Sequence, residues 1–136
     1  YCGYEPNQLD AVDPAIRSAY TPMSDVRFED LMPATWNNNG FSQGTGSAAF
    51  LTGENWGIYE GRLAVGIMGI AFGDTPEGSR IDLISVTPDG LGINGITRVP
   101  LGFSARFRGL VMGPDNALYV TTDEGEIYKV TAESMK

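Results

Sequence analysis

The chain has 136 residues, a net charge of −8 and no histidine. This length predicts one domain, and an apolar content of 42% with 19% charged residues is normal for a folded protein. The acidic excess disfavours nucleic-acid binding, and the lack of histidine removes the commonest general base. The longest apolar run, Leu63 to Phe72, is shorter than the roughly 20 residues of a membrane span. We therefore expect no membrane span.

Residues 1–45 form a loop-rich excursion with weak hydrophobic periodicity. Prolines recur along it, and only Asp13-Pro14 is typical of a helix start. The chain begins with Tyr1 rather than methionine, so we expect either processing or upstream sequence. Cys2 is the only cysteine and is either a free thiol or half of a bridge to an upstream residue.

Residues 46–136 have the pattern of an all-β protein. Turn formers such as Pro88-Asp89-Gly90 separate short apolar runs, and alternation on either side of Asp123-Glu124-Gly125 indicates a hairpin. No long stretch carries a helical apolar stripe. The predicted strands are Ser47–Leu51, Arg62–Ile67, Ile81–Val86, Phe107–Met112, Ala117–Thr121 and Glu126–Val130.

This spacing of strands favours a sandwich, a barrel or a propeller. A propeller blade has four antiparallel strands in about 40 to 50 residues, so 46–136 would supply about one and a half to two blades. Because a closed ring needs about four or more blades, we predict a single-domain fragment of a larger propeller.

Residues 105–123 carry a series of motifs and read Ala-Arg-Phe-Arg-Gly-Leu-Val-Met-Gly-Pro-Asp-Asn-Ala-Leu-Tyr-Val-Thr-Thr-Asp. They resemble the last blade of the pyrroloquinoline-quinone (PQQ) dependent sugar dehydrogenases, a family with the series Arg-x-Arg, Gly-Pro-Asp-Gly and Leu-Tyr-Val. Residues 125–130, Gly-Glu-Ile-Tyr-Lys-Val, resemble its closing strand, and 45–65 resemble the preceding blade. Tyr1-Cys2-Gly3 is similar to the segment after a Gly-Trp-Pro turn in the sorbosone-dehydrogenase branch.

Arg106 and Arg108 are the main candidate cofactor contacts. Two residues apart on a strand, they point to one face, while Phe107 points to the other. Two guanidiniums on one face suit carboxylates or a quinone, and the resemblance implies that they contact PQQ. The alternative is that both are solvated charges that pair with Asp or Glu.

The resemblance also implies smaller contacts in the preceding blade. Ser42, Gln43 and Thr45 occupy its positions for polar cofactor contacts, although a polar loop entering a strand would look the same. Trp36 and Trp56 could provide the walls of a substrate pocket, whereas packing between blades is the commoner role of such side chains.

Several parts of the family's machinery are absent. The family uses a histidine base, calcium held largely by upstream residues and, in some members, a lysine where this chain reads Gly66-Ile67-Met68. The acidic turn Asp123–Glu126 lacks calcium-loop spacing and is interpreted as a solvated turn. This chain alone is therefore expected to be inactive, and the remaining blades or another chain would be its partners.

The resemblance thus implies the C-terminal segment of a periplasmic or extracellular quinoprotein oxidoreductase. The complete protein would oxidise an aldose, or a related sugar or polyol, with PQQ and calcium. One alternative is a non-catalytic propeller used for binding or assembly, with the segment 1–45 as its contact arm. Another is a small β-sandwich that folds by itself.

Overall fold

The computed structural model describes residues 35, 43–69 and 78–135. Within these ranges the chain is mostly β, with seven strands in two antiparallel sheets and two short 3-10 helices. The all-β prediction is confirmed. Residues 43–136 form one compact unit, which holds all of the described strands. The predicted helix start at Asp13-Pro14 lies outside the described residues.

The first sheet is a four-stranded meander in which each strand pairs with the next in sequence. The first 3-10 helix, Glu54–Tyr59, connects its first two strands. Because neighbours in sequence are neighbours in the sheet, the connections between β1 and β2 and between β3 and β4 are local. Its strands are β1 Thr45–Phe50, β2 Leu63–Ile67, β3 Arg80–Val86 and β4 Ile93–Arg98.

The second sheet is a three-stranded meander followed by a second 3-10 helix, Ala132–Met135. The hairpin predicted on either side of Asp123-Glu124-Gly125 is confirmed, because β6 and β7 pair across this turn. Each of the six predicted runs overlaps an observed strand. The strands of this sheet are β5 Phe107–Met112, β6 Leu118–Thr122 and β7 Ile127–Val130.

The two sheets share one apolar core. Leu83 and Ile81 on the first sheet lie in the same buried cluster as Leu118 and Val120 on the second. The sheets approach most closely where β1 meets β5, because a Cβ on Gly46 would lie 2.5 Å from the carbonyl oxygen of Arg108. This close approach brings the beginning of β1 beside the beginning of β5.

The outer faces of the two sheets differ. On the first sheet, Val65, Ile67 and Ile84 form a second buried apolar cluster on the face turned away from the shared core. On the second sheet, Val111 and Ile127 lie on the outer face and are 61% and 72% exposed. Apolar side chains therefore occupy both faces of each sheet, and on the second sheet one face is open.

Candidate functional site

The candidate arginines lie where β5 begins. Arg106 immediately precedes the strand, and Arg108 lies at a bulge, since Phe107 pairs with Thr122 while Gly109 already pairs with Thr121. Bulges redirect a side chain and are frequent beside functional sites. The strand β1 has its own irregularity between Thr45 and Ala48, next to this bulge.

Both arginines bind the same carboxylate. The Nε of Arg106 donates to Oδ2 of Asp123 at 3.0 Å. Arg108 binds Asp123 in a bidentate manner. Its Nε donates to Oδ1, and its Nη2 donates to Oδ2 at 3.0 Å. The two guanidiniums therefore lie on one side of the strand, as the alternation around Phe107 predicts.

The backbone supports this arrangement from two directions. The N–H of Asp123 donates to the carbonyl oxygen of Arg106 at 3.1 Å, which fixes the carboxylate beside the start of β5. Arg106 Nη1 donates to the carbonyl oxygen of Met68 at 3.1 Å, and the Ser79 hydroxyl donates to the same oxygen at 2.8 Å. Arg106 is thus held by two elements.

The electrostatics follow from these contacts. The hydrogen bond from Arg108, followed by that from Arg106, lowers the pKa of Asp123 to about 2. Conversely, the hydrogen bond to Asp123 and its charge raise the pKa of Arg108. Two guanidiniums share the Asp123 carboxylate, and a second carboxylate, that of Glu124, lies 3.5 Å from the backbone nitrogen of Arg106.

The cluster retains hydrogen-bonding capacity for an anion. Arg106 Nη2 and Arg108 Nη1 have no acceptor among the described residues. The Arg108 side chain is 61% exposed, against 27% for Arg106. A carboxylate, phosphate or quinone oxygen is a suitable acceptor for such N–H groups.

Asp123 lies in the exposed acidic turn that the sequence predicts. Its carboxylate is the shared partner of both arginines and is 25% exposed. The alternative that Arg106 and Arg108 pair with an acidic residue therefore describes the observed contacts. The register of β5 against β6 explains this contact, because the pairing of Phe107 with Thr122 puts Asp123 beside Arg106.

The polar candidates on the first sheet lie close to this cluster. Gly44 accepts a hydrogen bond from the N–H of Met68, whose carbonyl oxygen binds Arg106. Gln43 precedes Gly44, and its Oε1 is buried with no hydrogen-bonding partner among the described residues. Thr45 pairs with Ile67 and is exposed. Ser42 lies outside the described residues.

Trp56 is not brought to the arginines. Trp56 is 1% exposed, and its Nε1 donates to the carbonyl oxygen of Asn116 at 2.8 Å. Asn116 lies in the turn before β6, whereas Asp123 follows β6, so the two sites are at opposite ends of that strand. A cavity of about 350 Å³ adjoins Trp56 and is also lined by Tyr59 and Ala132. Trp36 lies outside the described residues.

Two further observations concern metals and membranes. Among the described residues, no group of three or more acidic, cysteine or histidine side chains could hold a metal ion. Across the same part of the chain, no helix has the length and apolar content needed to cross a membrane. The calcium ligands implied by the resemblance are therefore not assigned to any described residue.

The resemblance to the quinoproteins rests on the sequence motifs alone. No protein-family model, curated protein or solved structure matches the chain. The cofactor and substrate roles of the candidate residues accordingly stay predictions, and the geometry above is the basis for the proposals that follow.

Proposed function

We propose that residues 43–136 contribute two neighbouring blades to a β-propeller oxidoreductase of the PQQ-dependent sugar-dehydrogenase type. The support from the fold is the succession of two antiparallel meanders whose first strands, β1 and β5, lie against each other. In a propeller, the first strands of adjacent blades line the central channel. Arg106 and Arg108, at the start of β5, would then face that channel.

The observation that carries this proposal is the convergence of the two guanidiniums. Arg106 and Arg108 bind one shared carboxylate, and Arg106 Nη2 and Arg108 Nη1 have no acceptor among the described residues. PQQ carries three carboxylates and an ortho-quinone, so its chemistry fits these donors. The residues of this chain would bind and orient the cofactor.

When bound, PQQ supplies the oxidant that takes a hydride equivalent from the sugar carbon. A general base must accept the hydroxyl proton, and the chain offers no histidine for this. Calcium ligands also have to come from elsewhere in the complete protein. The contribution proposed for this chain is an anion clamp formed by Arg106 and Arg108, and the base would come from elsewhere in the complete protein.

The test uses the complete translation product of the gene that encodes this chain. After addition of PQQ and calcium chloride, it should bind the quinone and reduce an artificial electron acceptor when an aldose is added. The double variant Arg106→Ala/Arg108→Ala should lose both properties. Arg98→Ala, on the exposed edge strand β4, removes a cation elsewhere and should change neither. Absence of PQQ binding by the unsubstituted protein would remove the proposal.

A second candidate function is a non-catalytic propeller used for binding or assembly. The observation that favours it is the ion pairing itself, because both arginines have a structural partner in Asp123. Under this alternative the arginines fix the turn between β6 and β7. The complete protein would then form a stable complex with another macromolecule, and this complex would persist in Arg106→Ala/Arg108→Ala without PQQ.

A further inference from the structure

We propose that Asp123 is a positioning residue for the arginine pair, which strengthens anion binding although it carries a negative charge itself. Its carboxylate accepts hydrogen bonds from Nε of Arg106 and from both Nε and Nη2 of Arg108. The other two groups, Arg106 Nη2 and Arg108 Nη1, have no acceptor among the described residues. The carboxylate thus fixes the two guanidiniums and leaves these two donors for a ligand.

The surroundings of the two arginines make this support specific. Arg106 has a second anchor in the carbonyl oxygen of Met68, at 3.1 Å. Arg108 has no anchor other than Asp123 among the described residues, and its side chain is 61% exposed. Without Asp123, Arg108 would sample several rotamers, and binding a ligand would have to restrict them.

A simple counter-ion would have the opposite effect. If Asp123 only neutralised the arginines, Asp123→Asn would add positive charge to the site and tighten the binding of an anion. If Asp123 positions them, the same substitution weakens binding despite the added charge, because an amide offers only one acceptor oxygen. The sign of the change in affinity therefore separates the two roles.

The chain offers a matched control in Asp115. Its carboxylate accepts a salt bridge from Lys129 at 2.7 Å and lies in the turn between β5 and β6. Its pKa is lowered to about 2 by the hydrogen bond from Lys129, so Asp115→Asn changes the net charge as Asp123→Asn does. It leaves the arginine pair intact.

The first experiment uses the 136-residue chain and does not involve PQQ. The Nε–H signals of Arg106 and Arg108 in the nuclear magnetic resonance spectrum can be assigned with Arg→Lys variants. We expect both signals to be protected from solvent exchange in the unsubstituted chain and in Asp115→Asn. In Asp123→Asn the Arg108 signal should be lost and the Arg106 signal weakened. Protection that is unchanged in Asp123→Asn would overturn the proposal.

The second experiment measures the PQQ dissociation constant of the complete translation product, and this part rests on the proposed function. Asp123→Asn should raise the dissociation constant about tenfold, which corresponds to the loss of one hydrogen bond to a charged group. Asp115→Asn should leave it unchanged. Tighter binding by Asp123→Asn would overturn the positioning role. If the unsubstituted protein binds no PQQ, the proposed function fails, and the protection experiment alone decides the role of Asp123.

A third variant covers the case in which Asp123→Asn does not fold. Asp123→Glu keeps the charge but lengthens the side chain, so it cannot reach both guanidiniums in the same geometry. Positioning predicts weaker PQQ binding and faster exchange of the Arg108 Nε–H than in the unsubstituted protein. A counter-ion role predicts no change in either quantity, which would contradict the proposal.

Discussion

Gly46 sets the distance between the two sheets at the candidate site. A Cβ at this position would lie 2.5 Å from the carbonyl oxygen of Arg108 and 2.8 Å from that of Phe107. Real Cβ atoms essentially never come this close to backbone oxygen, so any side chain here must push β1 and β5 apart.

We predict that Gly46→Ala lowers the free energy of unfolding by about 1–3 kcal/mol, the usual cost of overpacking. Urea denaturation followed by circular dichroism measures this. Gly95→Ala is the control, since a Cβ on Gly95 has no neighbour within 4 Å. Equal stability of the two variants would show that β1 and β5 do not approach as closely as described.

The lowered pKa values of Asp115 and Asp123 predict how the free energy of unfolding depends on pH. Hydrogen bonds from Lys129 and Arg108, respectively, lower the pKa of each to about 2, below the ordinary aspartate value. A carboxyl group whose pKa is lower in the folded state binds fewer protons there than in the unfolded state. Its contribution to stability is therefore complete above its unfolded-state pKa and is lost as the pH falls towards its folded-state pKa.

The urea midpoint of the chain should therefore fall between about pH 5 and about pH 2. The double variant Asp115→Asn/Asp123→Asn should be less stable near neutral pH and show a shallower fall. A double variant whose midpoint depends on pH as steeply as that of the unsubstituted chain would contradict this assignment.

The first 3-10 helix is anchored to the second sheet through Trp56. Its Nε1 donates to the carbonyl oxygen of Asn116, and its ring is buried in the shared core. Trp56→Phe keeps an aromatic ring but removes the donor, which leaves that carbonyl oxygen without this hydrogen bond.

We expect Trp56→Phe to lower the free energy of unfolding by about 0.5–1.5 kcal/mol, the net contribution of one hydrogen bond, because Asn55 Nδ2 still donates to the same carbonyl oxygen. Ile58→Ala, on the same helix but 79% exposed, should stay within about 0.5 kcal/mol of the unsubstituted chain. Thermal or urea unfolding tests both. If Ile58→Ala lowers the stability and Trp56→Phe does not, the helix is anchored by its contacts beside the cavity and not by the Trp56 hydrogen bond.

At the level of elements, the sequence predicted the strands that carry apolar patterns. It missed β4, Ile93–Arg98, because this edge strand is exposed from Asn94 to Arg98 and has no buried face to produce alternation. It also missed the 3-10 helix at Glu54–Tyr59, where turn formers indicated a loop. Turn chemistry alone does not distinguish a short 3-10 helix from a loop.

The candidate site was also predictable in part from the alternation of side chains along a strand. Alternation around Phe107 placed Arg106 and Arg108 on one side, which the shared bonds to Asp123 confirm. The identity of that partner depends on the register of β5 against β6, including the bulge at Arg108. A bulge leaves no clear mark in one sequence. The sequence also does not show that Trp56 is buried beside a cavity, at the end of β6 opposite the arginines.

For the whole molecule, the propeller proposal predicts that another blade packs on the open face of the second sheet. Val111 and Ile127 lie there, more than half exposed, opposite the face that packs on the first sheet. In a closed ring, a further blade would pack against this face.

Ile127→Lys should therefore lower the melting temperature of the complete translation product while leaving that of the 136-residue chain nearly unchanged. Differential scanning calorimetry of both proteins measures the two effects. Leu91→Lys, at an apolar position that is 81% exposed, adds the same single charge and is the control. If Ile127→Lys has no effect in the complete product, the outer face of the second sheet is open there too, against the propeller arrangement.

The most direct measurement is the equilibrium uptake of PQQ by the complete protein, with and without its two arginines at the start of β5. Isothermal titration calorimetry in the presence of calcium should show saturable binding that Arg106→Ala/Arg108→Ala abolishes and Arg98→Ala preserves. Failure of the unsubstituted protein to take up the quinone, or equal uptake by the double variant, would contradict the account.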